Sequence, residues 1–368
     1  MAQESRPANP TVLQVSTFNF VLIALFCYSF TYCFVLLFIH VSQGGYGEVS
    51  SPIRASSVQR RPRVLIMGPK MAGKTSVFKV VFHKMTPHET LFLEPTTQPV
   101  KHDVTNSSLF QFQVIDFPGS DDASDQHLQQ CASLVYVLDA QDEQSDAIVH
   151  KLSQTIARAH KLNPAMHIDV FVHKADGLTA DDKDEVFRNI SSRLSQDLSD
   201  DTGTSSYQLH LTSIYDHTLF EAMSRVVQKI IPQLATLEAL LDALVAKSRV
   251  AKAFLFDVVS KVFIATDSSP LDPQAYELCA DMIDVVIDVS CIYGVSEGGE
   301  MPQAYDDQSC ATIRLNNDHV LYLREVSKYL ALVCLMHANS SFKIGLIDHN
   351  VAELKQSLVK VFEVPRKR

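Results

Sequence analysis

Two rhythms of apolar and polar residues divide this chain. After residue 62, short apolar runs at 63 to 67, 109 to 116, 133 to 138, 167 to 172 and 207 to 211 alternate with helically spaced stretches at 74 to 83, 143 to 160, 181 to 197 and 217 to 230. That alternation predicts a mostly parallel sheet with helices on both faces. Val100 to Val104, ahead of Asn106-Ser107-Ser108, predicts a short strand paired antiparallel with 109 to 116. Pro232 ends the pattern. Beyond a helical connector at about 236 to 247, β-like runs cluster at 253 to 258, 261 to 266, 310 to 316, 319 to 325 and 328 to 335, with helices at 273 to 287 and 349 to 362. Clustering of this kind predicts an α+β domain built on an antiparallel sheet. The expected organisation is an extension and linker over 1 to 61, an α/β domain over 62 to 234 and an α+β domain over 236 to 365.

A third pattern lies at the amino end. No Asp, Glu, Lys or Arg occurs from Pro7 to Val41, and residues 18 to 39 are nearly all apolar, long enough to span a bilayer. The stretch is too long for the apolar region of a signal peptide, and only Arg6 precedes it, so secretion is not expected. Arg54, Arg60, Arg61 and Arg63 make the following flank the more basic one and would keep the rest of the chain in the cytosol. A membrane anchor, a buried helix and a segment foreign to the native protein all stay open for residues 1 to 45. Gln43 to Pro62, rich in Gly, Ser and Arg, reads as a linker.

Composition narrows the function classes. The 368 residues are 46% hydrophobic, enough for two cores, and the formal net charge of -10 argues against general nucleic-acid binding. No basic stripe stands out beyond Arg366-Lys367-Arg368, which reads as a solvated end. The seven cysteines form no CxxC pair and read as reduced, intracellular thiols. The chain starts Met1-Ala2 and ends without a prenylation cysteine, so neither myristoylation nor prenylation is signalled.

The chemistry starts where the first strand breaks into Gly68-Pro69-Lys70-Met71-Ala72-Gly73-Lys74-Thr75-Ser76. Two glycines at this spacing, followed by a lysine and a hydroxyl, form a phosphate-binding loop: the backbone turns so that successive N–H groups face a phosphate at a helix N-terminus. Gly68, Lys70, Met71, Ala72, Gly73, Lys74, Thr75 and Ser76 are therefore expected to line a nucleoside triphosphate. Lys74 adds a point charge and Thr75 offers a hydroxyl to Mg²⁺. Farther on, a strand ends in Asp116-Phe117-Pro118-Gly119. Asp116 is expected in the Mg²⁺ shell, and the Gly119 N–H is expected to meet a γ-phosphate. Thr96 or Thr97 would complete the metal site, and Thr96 is preferred.

Base choice is expected from His173-Lys174-Ala175-Asp176, which resembles the Asn-Lys-x-Asp element of GTPases with His in first place. Asp176 would accept two hydrogen bonds from guanine, a donor pair that adenine lacks. Lys174 would lay its stem along the purine. The backbone of Thr212-Ser213-Ile214 is placed to give an N–H to the guanine oxygen, making Ser213 and Ile214 site residues.

The longer runs carry a family likeness. Lys79-Val-Val-Phe-His-Lys-Met85, Glu89-Thr-Leu-Phe-Leu-Glu94, Val137-Leu-Asp-Ala-Gln-Asp142 and Leu211-Thr-Ser-Ile-Tyr-Asp216 resemble the Rag GTPases of the C/D class. So do Ala253-Phe-Leu-Phe-Asp-Val-Val-Ser-Lys261, Ile264-Ala-Thr-Asp-Ser-Ser-Pro270 and Asp281-Met-Ile-Asp-Val-Val-Ile-Asp-Val-Ser-Cys-Ile-Tyr-Gly294, so the likeness covers nearly everything after residue 62. The resemblance implies a Ras-like GTPase domain followed by a roadblock-like domain that pairs with a Rag A/B-class partner. It implies GTP/GDP and Mg²⁺ as ligands. It further implies a place on the cytosolic face of the lysosome, held by a scaffold complex, relaying amino-acid sufficiency to the target-of-rapamycin kinase complex. Membrane association would come through partners, with residues 18 to 39 as the chain's own possible anchor.

Two positions depart from that family. Its glutamine after the Asp-x-x-Gly glycine is here Ser120, too short to orient an attacking water, and the segment up to Ser133 is shorter than usual. Slow hydrolysis is expected, with a non-hydrolysing scaffold as the alternative and no catalytic residue assigned. A P-loop kinase using ATP is a third reading, against which Asp176 stands. The second departure is the apolar amino end, where relatives have polar tails.

Overall fold

The computed structural model describes residues 12–14, 61–105, 111–119, 123–142, 146–201, 206–293, 305, 309–327, 329–339 and 344–363. The apolar stretch 18 to 39, the linker up to residue 60, the turn at Asn106-Ser107-Ser108, Ser120 and the tail Arg366-Lys367-Arg368 lie outside them. Among the described residues no helix is long and apolar enough to cross a membrane.

A three-residue strand β1 (Val12–Gln14) precedes the elements of the first sheet: β2 (Arg63–Met67), β3 (Val100–Val104), β4 (Phe112–Asp116), β5 (Ser133–Asp139), β6 (His167–His173) and β7 (Gln208–Thr212). Their order is β3-β4-β2-β5-β6-β7, parallel throughout except for the antiparallel β3–β4 pair. Helices α1 (Lys74–His83), α2 (Asp125–Gln130), α3 (Asp146–Leu162), α4 (Ala180–Asp201) and α5 (Thr218–Lys229) connect them. The inner strands β2 and β5 read as nearly continuous apolar runs because both faces are covered. Val64, Ile66, Val135 and Val137 pack with Phe78 of α1 and Met223 and Val226 of α5. Their neighbours Leu65, Leu134 and Tyr136 point the other way, onto Leu152 and Ile156 of α3 and Ile190 and Leu194 of α4. The period of two along each strand thus feeds two cores.

The second sheet is built from β8 (Lys252–Asp257), β9 (Phe263–Thr266), β10 (Cys310–Arg314), β11 (His319–Ser327) and β12 (Leu330–His337). Its order is β1-β10-β11-β12-β8-β9, with β10 through β9 antiparallel and β1 parallel to β10. Helix α7 (Pro273–Tyr293) covers one face with Tyr276, Cys279 and Ile283 against Phe254, Phe256 and Phe263. On the other face, α6 (Leu234–Ser248) and α8 (Ile344–Glu363) bring Leu237, Leu241, Leu354 and Leu358 onto Leu255 and Leu332. That second core is continuous with the α1–α5 core of the first sheet. The join is also polar, since the Phe263 N–H donates to Ser224 Oγ of α5 at 3.0 Å.

The expected mostly parallel sheet with helices on both faces, followed by an antiparallel sheet with helices, is the observed fold. Several details differ. Helix α2 is not in the sequence reading: at six residues with only Leu128 buried, it is too short for periodicity to register. Helix α7 continues past residue 287, because Val285, Val286, Ile287 and Val289 form a β-branched run that masks the helical period. Helix α8 starts at Ile344, five residues before the expected start; Ile347 and Val351 already belong to its buried face, but Asp348, His349 and Asn350 hide it. Val12–Gln14, expected within an extension, is a strand of the second sheet.

Candidate functional site

Elements of the parallel sheet bring two polar corners together at the carboxyl ends of its strands, where open α/β sheets bind ligands. The first is set by the turn between β2 and α1. Gly73 stands before α1 with φ 94°, and α1 has neither a side-chain cap nor an acidic residue in its first turn. Its leading N–H groups and the positive end of its dipole are thus left for an anion. A Cβ at Gly73 would come 2.8 Å from His173 Cδ2, so only glycine fits between the helix start and that ring. Met71 also takes a left-handed conformation, φ 68°, with its side chain exposed. Ala72 is buried, Lys70 exposed, and Ser76 half-buried.

Lys74 is buried and folds back over its own loop, donating to the Gly68 carbonyl at 3.1 Å and the Pro69 carbonyl at 2.7 Å. Burial lowers its pKa, and the nearby Asp116 charge works against that. Thr75 Oγ1 donates to Asp116 Oδ2 at 2.6 Å and lies 2.9 Å from Thr96 Oγ1, which itself donates to Asp116 Oδ2 at 3.4 Å. The three expected metal-site residues therefore converge. Thr97, the other threonine, is exposed. Asp116 Oδ1 is buried with no hydrogen-bond partner. Burial pushes this carboxyl up, opposed by the Thr75 hydroxyl and the Lys74 charge. Two hydroxyls and a carboxylate with one oxygen orphaned fit a hard, oxygen-preferring divalent cation. Gly119 packs directly on the loop, where a Cβ would be 2.4 Å from the Lys70 nitrogen. The Asp-x-x-Gly turn and the phosphate loop are thus in backbone contact.

The second corner gathers the ends of β5, β6 and β7. His173 is buried beneath Gly73, with Nδ1 3.0 Å from Thr212 Oγ1. Burial, and secondarily the Lys174 charge, lowers its pKa to about 4, so the ring is neutral at pH 7. His173, expected to line the ligand, braces the phosphate loop against β7. Lys174 adopts φ 61° and pairs with Asp139 at the end of β5. Its carbonyl accepts from Gln141 Nε2 at 2.9 Å. Asp176 is exposed, and its Oδ1 accepts from Ser213 Oγ at 2.6 Å.

Within the Thr212-Ser213-Ile214 segment expected to give a backbone N–H to the guanine oxygen, the Ser213 N–H donates to Thr218 Oγ1 at 3.0 Å. Ser213 contributes through its hydroxyl, because the turn into α5 needs its amide. Ile214, the other expected donor, is half-buried beside it. Asp139, Gln141 and Thr218, and the side-chain part played by Thr212, escaped the sequence reading, although Asp139 and Gln141 lie in the quoted run Val137 to Asp142 at a strand's carboxyl end.

Comparisons with known proteins agree with this geometry. The Gtr1/RagA G protein conserved region matches residues 63–283. Ras-related GTP-binding protein C of Mus musculus is 53% identical over 312 residues, covering 83% of this chain and 78% of that protein. Ras-related GTP-binding protein D of the same species is 50% identical over 319 residues, 84% of this chain and 70% of that protein. GTP-binding protein gtr2 of Schizosaccharomyces pombe is 46% identical over 314 residues, 82% of this chain and 98% of that protein. The chain belongs to the Gtr1/RagA G-protein family and, within it, to the C/D class of Rag GTPases.

Proposed function

We propose that the chain works as a guanine-nucleotide switch in which the phosphate corner senses the γ-phosphate and Asp176 selects the base. The observation that carries this reading is the convergence of the Thr75 and Thr96 hydroxyls on one oxygen of Asp116, whose other carboxylate oxygen is left orphaned, with Gly119 touching the same loop. Thr75, Thr96 and Asp116 would hold Mg²⁺, which supplies neutralisation of phosphate charge when bound. Lys74 exchanges its two loop carbonyls for phosphate oxygens, and the open start of α1 donates N–H groups. Asp176, held by Ser213, accepts from the guanine N–H and amine. A γ-phosphate meeting Gly119 and Thr96 would order the segments that carry them and so change the surface shown to partners.

The partner reading rests on the family likeness. We assign a heterodimer with a Rag A/B-class GTPase, formed through the second sheet and α7, whose exposed Ile292 and half-buried Val285 and Val289 offer an apolar face. The heterodimer would sit in the cytoplasm and on the cytosolic face of the lysosomal membrane, on a scaffold complex, and relay amino-acid availability to the target-of-rapamycin kinase complex. Domain limits of 62 to 234 and 236 to 365 accompany this reading.

Ser120 favours one second reading, a nucleotide-bound scaffold that does not hydrolyse. Single-turnover cleavage of GTP, with and without a partner-activating protein, separates the two. Phosphate release supports the switch; none over hours supports the scaffold. Equal affinity for ATP and GTP would overturn the base assignment.

A further inference from the structure

We infer that His217 is a positioning residue for base recognition: it ties the start of α5, and through it Ser213 and Asp176, to helix α7, and it does so most firmly as the imidazolium. The inference rests on the guanine reading of Asp176 given above.

Three links connect α7 to the base-reading carboxylate. His217 Nε2 lies 3.2 Å from Asp281 Oδ1 and 3.9 Å from Glu277 Oε1, both on α7. The next residue, Thr218, holds the Ser213 N–H on its Oγ1 at 3.0 Å and donates its own N–H to Asp216 Oδ1 at 3.0 Å. Ser213 Oγ then donates to Asp176 Oδ1 at 2.6 Å. Movement of His217 away from α7 moves the residue that caps the start of α5, and Thr218 carries it to Ser213. Only one side-chain hydrogen bond then separates it from the base-reading oxygen.

The surroundings of His217 are charged but one-sided. From α7 it faces Glu277 and Asp281, with the Tyr276 ring edge-on at 6.2 Å. From the β8–β9 turn it faces Lys261, whose ammonium is engaged by Asp284 at 2.5 Å. On its own segment, Asp216 is committed to Thr218, and Glu221 of α5 to Arg225 at 2.8 Å. The His217 side chain keeps 26% exposure, so solvent protons reach it. Burial pulls its pKa down, but the hydrogen bond and charge of Asp281, with Glu277 adding, outweigh that and Lys261, and the net direction is upward. A raised folded-state value means that the tie is complete below the ordinary histidine pKa of about 6.5 and is lost as pH rises through the higher folded-state value.

The test uses the full chain loaded with N-methylanthraniloyl-GDP, following its release from pH 6.0 to 8.5. Wild type, His217→Gln and Asp281→Asn are compared as rate ratios, which cancels the nucleotide's own titration. Release from wild type is expected to accelerate severalfold across this range, as the tie is lost. Both variants should release fast at every pH, with the slope gone. Asp281 is half-exposed and its substitution conserves shape, so it remains informative should His217→Gln misfold. Variants that keep the wild-type slope would overturn the positioning role, leaving His217 a packing residue. Failure of wild type to retain the probe even at pH 6.0 would overturn the nucleotide reading itself, and this inference with it.

Discussion

The phosphate corner and the base corner do similar work with different materials. Around the phosphate loop, the eight contiguous residues from Gly68 to Thr75 supply the turn, the ammonium and the first hydroxyl, and Lys74 bonds to carbonyls five and six positions away. Around the base, no two neighbouring residues suffice. Asp176 leans on Ser213 37 positions later, Lys174 on Asp139 35 positions earlier, and His173 on Thr212 39 positions later. The first corner is a property of a peptide; the second is a property of three strand ends held in parallel register by β5–β6 and β6–β7 pairing. Main-chain donors carry affinity for an anion of any base, whereas discrimination comes from side chains whose positions the sheet imposes.

Perturbations at each corner sharpen that contrast. The largest expected effect is Lys74→Ala, which removes a buried cation and should weaken GDP and GTP alike by roughly 3–4 kcal/mol, about two to three decades, in titration calorimetry. A loss under tenfold would break the picture of a charge-dominated phosphate corner. Next comes Asp176→Asn, which should cost guanine nucleotides about 3 kcal/mol while leaving phosphate binding intact, so that xanthosine diphosphate becomes the preferred ligand in competition assays. Equal loss for both bases would show the two corners to be inseparable.

A third perturbation reaches the brace between them. His173 is neutral in the folded chain with its pKa lowered to about 4, so its contribution to stability is complete above the unfolded value near 6.5 and declines as pH falls toward 4. Denaturant unfolding at pH 7 and pH 4.5 should show roughly 2 kcal/mol of this loss in wild type, and less in His173→Asn, whose side chain does not titrate. An unchanged difference between the two pH values in the variant would remove His173 from this role. The smallest effect concerns the metal side: Thr96→Ala should reduce Mg²⁺-dependent GTP retention by about 1 kcal/mol, severalfold, while Thr97→Ala stays within about 0.5. A reversal of that order would assign the hydroxyl to the wrong threonine.

Legibility in the sequence followed the same division. The strand β2, the loop and α1 were readable because apolar run, glycine spacing and helical period all fall within one stretch. Strands β5 and β6 were readable because a parallel sheet buried on both faces leaves an unbroken apolar signature. The brief α2 and the polar first turn of α8 were not, since too few of their residues face the core to set a period.

By itself, then, the sequence determined that a phosphate loop precedes an Asp-x-x-Gly turn and a His-Lys-x-Asp element in a parallel α/β frame, with an antiparallel α+β unit behind it. Local backbone geometry and side-chain period are written in neighbouring residues, and those suffice. Only the tertiary structure decided that His173 braces the loop, that Ser213 serves through its hydroxyl, that Asp139 engages Lys174 and that His217 reaches α7. Each of these is a contact between residues more than thirty positions apart, fixed by which strands lie side by side, and chain spacing carries no record of that.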